Sequence, residues 1–427
     1  MKILYINNFR GFQNTFVPLS KVNFLLGENS TGKTSFLSLL HLLSTPQFWY
    51  TQDFNANGIE LGSFDEIVSS GTSSDYFEVG IMHFGEKTVP EGIYLKFTDD
   101  EGTPSWSEYR FLQEDITIGV YKTNEQVGMR SGSGENLPET EDQIGFFKNW
   151  LNTPLNKSST PQLTEVQKDL SLHLIQKIIF EEFNELKQSK AKTRHNATVL
   201  PEYLLPTTWI APIRAKPKRL YDNYKVNFSS EGEHIPLVLK NMLHADGNEQ
   251  FVETLKNFGA DSGLFENIEI KPLSNEKNAP FEIHILLNGN PLKITNVGYG
   301  VSQILPILVE VMARAGNTCF AIQQPEVHLH PKGQAALGEL FYQISANTPN
   351  SFFIETHSDF IVDRFRLAKR KDTNGPNIST QVLFFERTEK GNAVHIIGID
   401  DQGNYPDEQP EAFRSFFLKE VMDMLVF

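Results

Sequence analysis

The chain has 427 residues, enough for one large or two ordinary domains, and 39% of them are hydrophobic, so a sizeable core is possible. Acidic residues outnumber basic ones 53 to 38, a formal charge of −15 that argues against a surface built to coat DNA but leaves room for a local basic patch. The single cysteine, Cys319, excludes an intrachain disulfide and, lying in an apolar run, reads as a core residue. Met1-Lys2-Ile3-Leu4-Tyr5 turns polar too soon for a signal peptide, and no apolar run approaches the ~18 residues of a membrane span. The expectation is an acidic, cytoplasmic protein with no membrane partner.

Residues 2–7 and 22–26 read as two strands. Between them, Asn8-Phe9-Arg10-Gly11-Phe12 is a place where a nucleobase could rest, with Arg10 or Phe12 as a stacking platform; ordinary surface and core packing explain these residues equally well. Gly27-Glu28-Asn29-Ser30-Thr31-Gly32-Lys33-Thr34 then fits the phosphate-loop pattern G-x-x-x-x-G-K-[ST] without a gap. A leucine-rich helix over residues 35–43 follows, so the motif has the strand–loop–helix context it needs. In such a loop, backbone N–H groups converge on phosphate oxygens and the helix N-terminus adds partial positive charge. Gly27, Asn29, Ser30, Thr31, Gly32, Lys33, Thr34 and Ser35 are the candidate ATP-binding residues. Lys33 would reach the β- and γ-phosphates, and the Thr34 hydroxyl would ligate Mg²⁺.

Residues 77–84, 93–97 and 109–112 read as strands of an antiparallel subdomain, with turns at Gly85-Glu86 and Asp99-Asp100-Glu101-Gly102. Gln52 lies where a metal- or water-sensing glutamine could sit, or is a solvated loop residue. Residues 130–160 read as polar loop, broken by Ser131-Gly132-Ser133-Gly134. From 164 to 187 the pattern turns helical, with Val166, Leu170, Leu174, Ile178 and Leu186 on one stripe. A strand at Trp209-Ile210 then runs into a loop holding Arg214, Lys216, Lys218 and Arg219, the densest positive cluster in the chain. It could meet a phosphate of nucleotide or nucleic acid, or pair with nearby carboxylates. Helices over 235–258 are broken by Asp246-Gly247-Asn248, and strands at 268–270 and 281–287 follow, with a turn at Asn288-Gly289-Asn290.

The last third carries three further features. Asn296-Val297-Gly298-Tyr299-Gly300-Val301-Ser302-Gln303 is a glycine-rich turn feeding an apolar helix, again an anion-binding device. The apolar strand at 318–322 empties into Gln323-Gln324-Pro325-Glu326-Val327-His328-Leu329-His330-Pro331. Nucleotide-binding sheets hold metal and water ligands at such carboxyl ends. His328 and His330 lack a third ligand spaced to complete a metal site of their own. A second such strand ends in Glu355-Thr356-His357-Ser358-Asp359, and a histidine there can donate to a γ-phosphate.

Together these stretches resemble the SMC-like branch of the ABC ATPases, the group that includes RecF, the SMC-type break-repair ATPases and the OLD-family proteins. GENSTGKT resembles the Walker A motif, VGYGVSQ the divergent signature motif, FAIQQPEVHLHP the Walker B and D-loop, and ETHSD the switch histidine. The likeness covers residues 1–98 and 200–427. It implies an α/β fold, an ABC/SMC-like P-loop ATPase with an antiparallel β subdomain and a helical insertion. Residues 1–98 would form an N-terminal lobe with Walker A, 99–199 the insertion, and 200–427 a C-terminal lobe with the signature, Walker B-like and switch motifs. The implied cofactors are ATP and Mg²⁺. The implied assembly is a homodimer or higher oligomer, in which Gly300 and Ser302 of one copy cover the nucleotide of another. APIRAKPKRLY, IQQPEVHLHP and the C-terminal stretches resemble most the ATPase subunit of Septu-type anti-phage systems, which is paired with an HNH nuclease. No Toprim or histidine-rich nuclease motif is present, so cutting would come from a partner. A RecF-like, DNA-engaging repair ATPase, using the 214–219 loop, is the alternative.

One departure matters. Where the family places the Mg²⁺-ordering carboxylate and the catalytic glutamate, this chain has Gln323 and Gln324. An amide cannot take a proton from water, and loss of a general base typically slows a reaction by about 10²- to 10⁴-fold. Glu326 and Glu355 are the nearest replacements. The reading is therefore a nucleotide-binding switch with slow or absent hydrolysis, with Gln324, Glu326 and His357 as candidate catalytic positions and Thr34 and Gln323 as candidate metal ligands.

Overall fold

The computed structural model describes residues 1–56, 58–71, 75–85, 90–113, 116–122, 127–133, 142–155, 157–159, 172–188, 206–222, 224, 227–276, 278–314 and 316–416. The chain divides into two compact units. The first takes Met1–Ser20, Glu28–Leu205 and Phe385–Val394; the second takes Lys21–Gly27, Pro206–Phe384 and His395–Phe427.

In the first unit, β1 (Lys2–Asn7) pairs antiparallel with β2 (Thr15–Leu19). The chain then enters β3 (Val22–Gly27), a strand of the second unit, and returns for α1 (Lys33–Ser44), α2 (Pro46–Thr51) and α3 (Phe64–Ile67). The strands β4 (Tyr76–His83), β5 (Glu91–Asp100), β6 (Thr103–Gln113), β7 (Ile116–Lys122) and β8 (Val127–Ser133) follow. After them come α4 (Gln143–Asn152), β9 (Lys157–Ser159) and α5 (Leu172–Gln188). Among the described residues the antiparallel sheet runs β2-β1-β4-β5-β6-β7-β8-β9. The β5–β6 turn has Glu101 at φ 54° and Gly102 at φ 85°, the two consecutive positive angles that match the twist of a tight hairpin. Ile3, Tyr5, Met82, Tyr94 and Leu112 on the sheet bury Phe147 and Trp150 of α4. Each such aromatic stabilises the unit by roughly 1.5–3 kcal/mol.

Three expectations change here. The stretch 130–160 is not simply polar loop. Its first residues continue β8 beside β7, and Asp142 caps α4 by accepting from Gly145 N–H, so Phe147 and Trp150 can be buried. Gly134 of the expected breaker lies outside the described residues, as do residues 164–171 of the expected helix. The apolar phase of α5 also differs. Leu172, Ile175, Ile179 and Phe183 are buried, whereas Leu174 is 44% exposed, because the 3.6-residue period is satisfied from 172 rather than 174. The lobe boundary expected at 98/99 falls within β5.

The second unit contains β10 (Thr207–Ile210), α6 (Ile235–His244) and α7 (Glu249–Ser262). The small sheet β11 (Asn267–Pro272), β12 (Phe281–Leu287) and β13 (Asn290–Lys293) comes next. The chain continues through α8 (Tyr299–Ala313), β14 (Cys319–Gln323), α9 (Pro331–Asn347), β15 (Ser351–Glu355), α10 (Asp359–Lys371), β16 (Thr380–Thr388) and β17 (Gly391–Ile399), of which Phe385–Val394 count with the first unit. The main sheet runs β10-β14-β15-β3-β16-β17, and β10, β14, β15 and β3 are parallel neighbours. Every residue of β3 and β14 is buried, as strands covered on both faces should be. The one polar side chain in the middle of β3, Asn23, is satisfied: Gln381 donates to it at 2.8 Å and it donates to the Phe352 carbonyl at 3.2 Å. Cys319 is buried, as its apolar run implies.

Candidate functional site

Of the phosphate-loop motif, Glu28 to Thr34 lie in the first unit, and Gly27 ends a strand of the second. Gly27, the last residue of β3, stands at φ 132°, Ser30 at φ 61° and Gly32 at φ 94°. Gly32 is the N-cap of α1, and no side chain caps that helix. A Cβ on Gly32 would stand 2.6 Å from the ring of Phe12, so only glycine fits. The loop closes on one carbonyl: Thr31 Oγ1 donates to Glu28 O at 2.8 Å and Lys33 Nζ donates to the same oxygen at 2.6 Å. Lys33 is only 4% exposed. Asn29, Ser30 and Thr34 are exposed, with Thr34 on the first turn of α1, and Ser35 is half-buried.

The two stacking candidates part company. Phe12 is fully buried, edge-on to Phe385, and braces Gly32 instead of offering a free face. Arg10 donates to the Leu61 carbonyl, and burial, opposed by Glu66, lowers its guanidinium below its ordinary range. Gln52 is the left-handed C-cap of α2.

In the second unit, the carboxyl ends of β14 and β15 hold the other motif residues. Gln323 pairs in register with Glu355, and its amide donates to Glu355 Oε2 at 2.9 Å. Both side chains are buried, at 6% and 5% exposure. A carboxylate at 323 would face a carboxylate at 355; the amide turns that repulsion into a hydrogen bond. Gln324 stands at φ 42°, its N–H donating to Glu355 O at 2.7 Å. Glu326 turns toward β15: Thr356 Oγ1 donates to one of its oxygens at 2.7 Å and His357 N–H to the other at 2.8 Å. His357 is exposed, its N–H thus fixed by Glu326.

The basic loop divides. Arg214 points inward, 2% exposed, and its Nη2 donates to Gln323 O at 2.8 Å and to Gln324 O at 3.3 Å. Its Nε and Nη1 find no partner among the described residues. Burial draws its guanidinium down to about 10, against the pull of Glu326, so it remains a cation at neutral pH. Lys216 and Lys218 stay outside and line an open pocket with Tyr221, Leu239, Ser302 and Pro306. The expected cluster of four cations is therefore three exposed ones and a buried brace. Gly300 has a packing reason of its own: a Cβ there would stand 2.8 Å from the His328 carbonyl. Ser302 is buried, its hydroxyl donating to Tyr299 O at 2.8 Å. Among the described residues no group of three or more His, Cys, Asp or Glu is placed to hold a metal ion.

The sequence profile of the AAA ATPase domain family matches residues 1–202 and 146–362. The chain belongs to the AAA ATPase domain family. No curated protein matches it. Among solved structures it is similar to an SmcHead bound to the C-winged helix domain of ScpA, with a TM-score of 0.43 at 11% identity over 93% of this chain and 97% of that one. It is also similar to the SMC head domain from Thermotoga maritima, at 0.40 and 11% over 93% and 99%. A third is the Smc head domain with an extended coiled coil bound to the C-terminal domain of ScpA derived from Pyrococcus furiosus, at 0.36 and 12% over 100% and 99%.

For an AAA ATPase domain the phosphate loop fits its ligand class. A loop whose second glycine, Gly32, admits no side chain, opening a helix that no side chain caps, is a cradle for phosphate. The α/β ATPase fold with an antiparallel sheet and helices that the motifs lead one to expect is the one found. No helix among the described residues is long and apolar enough to cross a membrane. Phe12 takes the core-packing reading rather than the platform. Two residues near the loop carried no motif at all: Arg387, whose Nη2 donates to Ser30 O at 2.6 Å, and Asn392, whose Nδ2 donates to Arg10 O at 3.0 Å. Their roles arise from contacts with residues far away in the chain.

Proposed function

We propose that this AAA ATPase domain is a nucleotide-gated scaffold of the SMC-like kind that binds ATP and hydrolyses it slowly or not at all. Asn29 to Ser35 would hold the phosphates, Thr34 would ligate the Mg²⁺, and Gly300 and Ser302 of a second copy would cover the nucleotide. When bound, ATP with Mg²⁺ supplies a hydrolysable γ-phosphoryl group. The observation that carries the slow-turnover reading is the state of the strand-end carboxylates. Glu355 accepts the Gln323 amide, and Glu326 has both oxygens engaged by Thr356 and His357. Neither stands as a ready replacement for the general base that Gln324 lacks. A ligand that prefers the assembled state stabilises it by its differential affinity, so binding alone can work as a switch.

The biological setting we propose, from the motif likeness to Septu-type ATPase subunits, is control of an HNH-type nuclease in anti-phage defence. A RecF-like role on DNA draws support from the exposed Lys216, Lys218 and Arg219. Phosphate contacts would then give DNA affinity a steep negative salt slope.

The reading is tested with purified chain. ATP·Mg²⁺ raises the wild-type melting temperature and leaves Lys33→Ala unchanged, because the cation aimed at the phosphates is gone. Equal shifts in both overturn it.

A further inference from the structure

Arg387 lies near the far end of the chain from the phosphate loop, yet its Nη2 donates to the Ser30 carbonyl of that loop at 2.6 Å. The hairpin around it meets the loop repeatedly. Phe385 packs edge-on against Phe36 of α1, with centroids 5.7 Å apart, and against Phe12, which fills the space a Cβ on Gly32 would need. On the returning strand, Asn392 Nδ2 donates to Arg10 O at 3.0 Å and its N–H donates to Gly11 O at 2.7 Å. That side-chain nitrogen would stand 2.9 Å from a Cβ on Gly32. Gly391, at φ 117°, permits the approach, since a Cβ there would run into the Gly11 carbonyl. All of these residues belong to the first unit.

Ser30 itself is at φ 61°. A non-glycine residue keeps such an angle when its surroundings over-determine it. In a trans peptide the C=O and the following N–H lie in one plane and point in opposite directions. Anchoring Ser30 O on Arg387 therefore turns Thr31 N–H away from the guanidinium. An anion cradle works only if N–H groups, rather than carbonyls, face the anion.

We propose that Arg387 is a positioning residue for nucleotide: it pins the Ser30–Thr31 peptide so that the loop presents N–H groups to phosphate, and the 385–394 hairpin thereby sets nucleotide affinity. The proposal rests on the phosphate-loop reading above. Because Arg387 acts through the loop backbone, its loss weakens nucleoside di- and triphosphates alike. That separates it from a residue that touches only the γ-phosphate.

The test uses the full chain and calorimetric titration with ATP·Mg²⁺ and ADP·Mg²⁺. Arg387→Ala weakens both by roughly tenfold, the scale of one charge-assisted hydrogen bond. Arg387→Lys, which keeps a charged donor, recovers part of the loss for both nucleotides. Glu389→Ala, an exposed change on the same hairpin, leaves both affinities as they were. If wild type binds neither nucleotide, the phosphate-loop reading itself fails. If wild type binds and Arg387→Ala binds equally well, the positioning role fails. A loss confined to ATP overturns it in favour of direct γ-phosphate contact. Should Arg387→Ala not fold, Arg387→Lys decides: affinity between wild type and the tenfold loss, at an unchanged ligand-free melting temperature, supports the role, and full wild-type affinity or a lowered melting temperature overturns it.

Discussion

The Thr356 hydroxyl donates to Glu326 Oε2 at 2.7 Å, and the N–H of the adjacent His357 takes the other oxygen at 2.8 Å. The turn after β14 is thereby fastened to the end of β15, with the exposed His357 side chain set beside the clasp. A carboxylate used in this way is a structural tie.

Gln324→Glu is expected to raise the ATP hydrolysis rate from a slow wild-type value. It is the smallest change that restores a proton acceptor at the family's general-base position, worth about 10²- to 10⁴-fold where the geometry is right. Steady-state rates at saturating ATP·Mg²⁺ check it, since the added charge also weakens nucleotide binding. Wild-type turnover already at the level of ordinary ABC ATPases would discard the switch reading and return attention to Glu326 and Glu355.

Gln323→Glu places a carboxylate against Glu355 in the same buried pair. The metal-free variant is expected to lose about 1–3 kcal/mol, the range for a buried partner whose hydrogen bond is removed. Millimolar Mg²⁺ should restore part of it, because two facing carboxylates then share a cation. Urea unfolding with and without Mg²⁺ reads both effects. An undiminished stability would mean that the Gln323–Glu355 hydrogen bond contributes nothing.

His357→Ala should leave ADP affinity intact and reduce the preference for ATP over ADP. Its side chain is exposed while its N–H is tied to Glu326, so truncation removes the imidazole without freeing the backbone. Calorimetric affinities for the two nucleotides decide, and an unchanged ratio argues against a γ-phosphate contact.

Glu310 supplies a pH signature. His234 Nδ1 accepts from Ser229 N–H at 3.2 Å, so its Nε2 carries the proton toward Glu310, which also accepts from Arg314. Burial pushes the Glu310 carboxyl up, but the His234 and Arg314 hydrogen bonds outweigh it and hold the group below its ordinary 4.5. A depressed folded value means stability that is present above the ordinary carboxylate range and lost as pH falls through the folded value. Glu310→Gln should therefore be less stable than wild type at pH 7, with the gap closing below about pH 4.5. Urea midpoints from pH 3.5 to 7 test this. A gap of constant size would assign the loss to packing alone.

Local sequence by itself determined the phosphate loop, the strand before it and the helix after it. It also determined the tight turns at Glu101-Gly102 and Asn288-Gly289, because each depends on residues within a few positions of one another. The apolar runs of β3, β14 and β15 were equally legible, since a strand buried on both faces reads as a near-continuous apolar run. The tertiary structure decided what side chains do across long sequence distances. It turned Arg214 inward onto the Gln323 and Gln324 carbonyls and left its basic neighbours outside. It closed Glu326 onto Thr356 and His357, buried Phe12 against Gly32, and brought Arg387 to Ser30. None of these contacts has a local sequence signal. Each is set by which strands neighbour one another and by the need of buried donors and acceptors for partners, and that need is met only once the sheets are assembled.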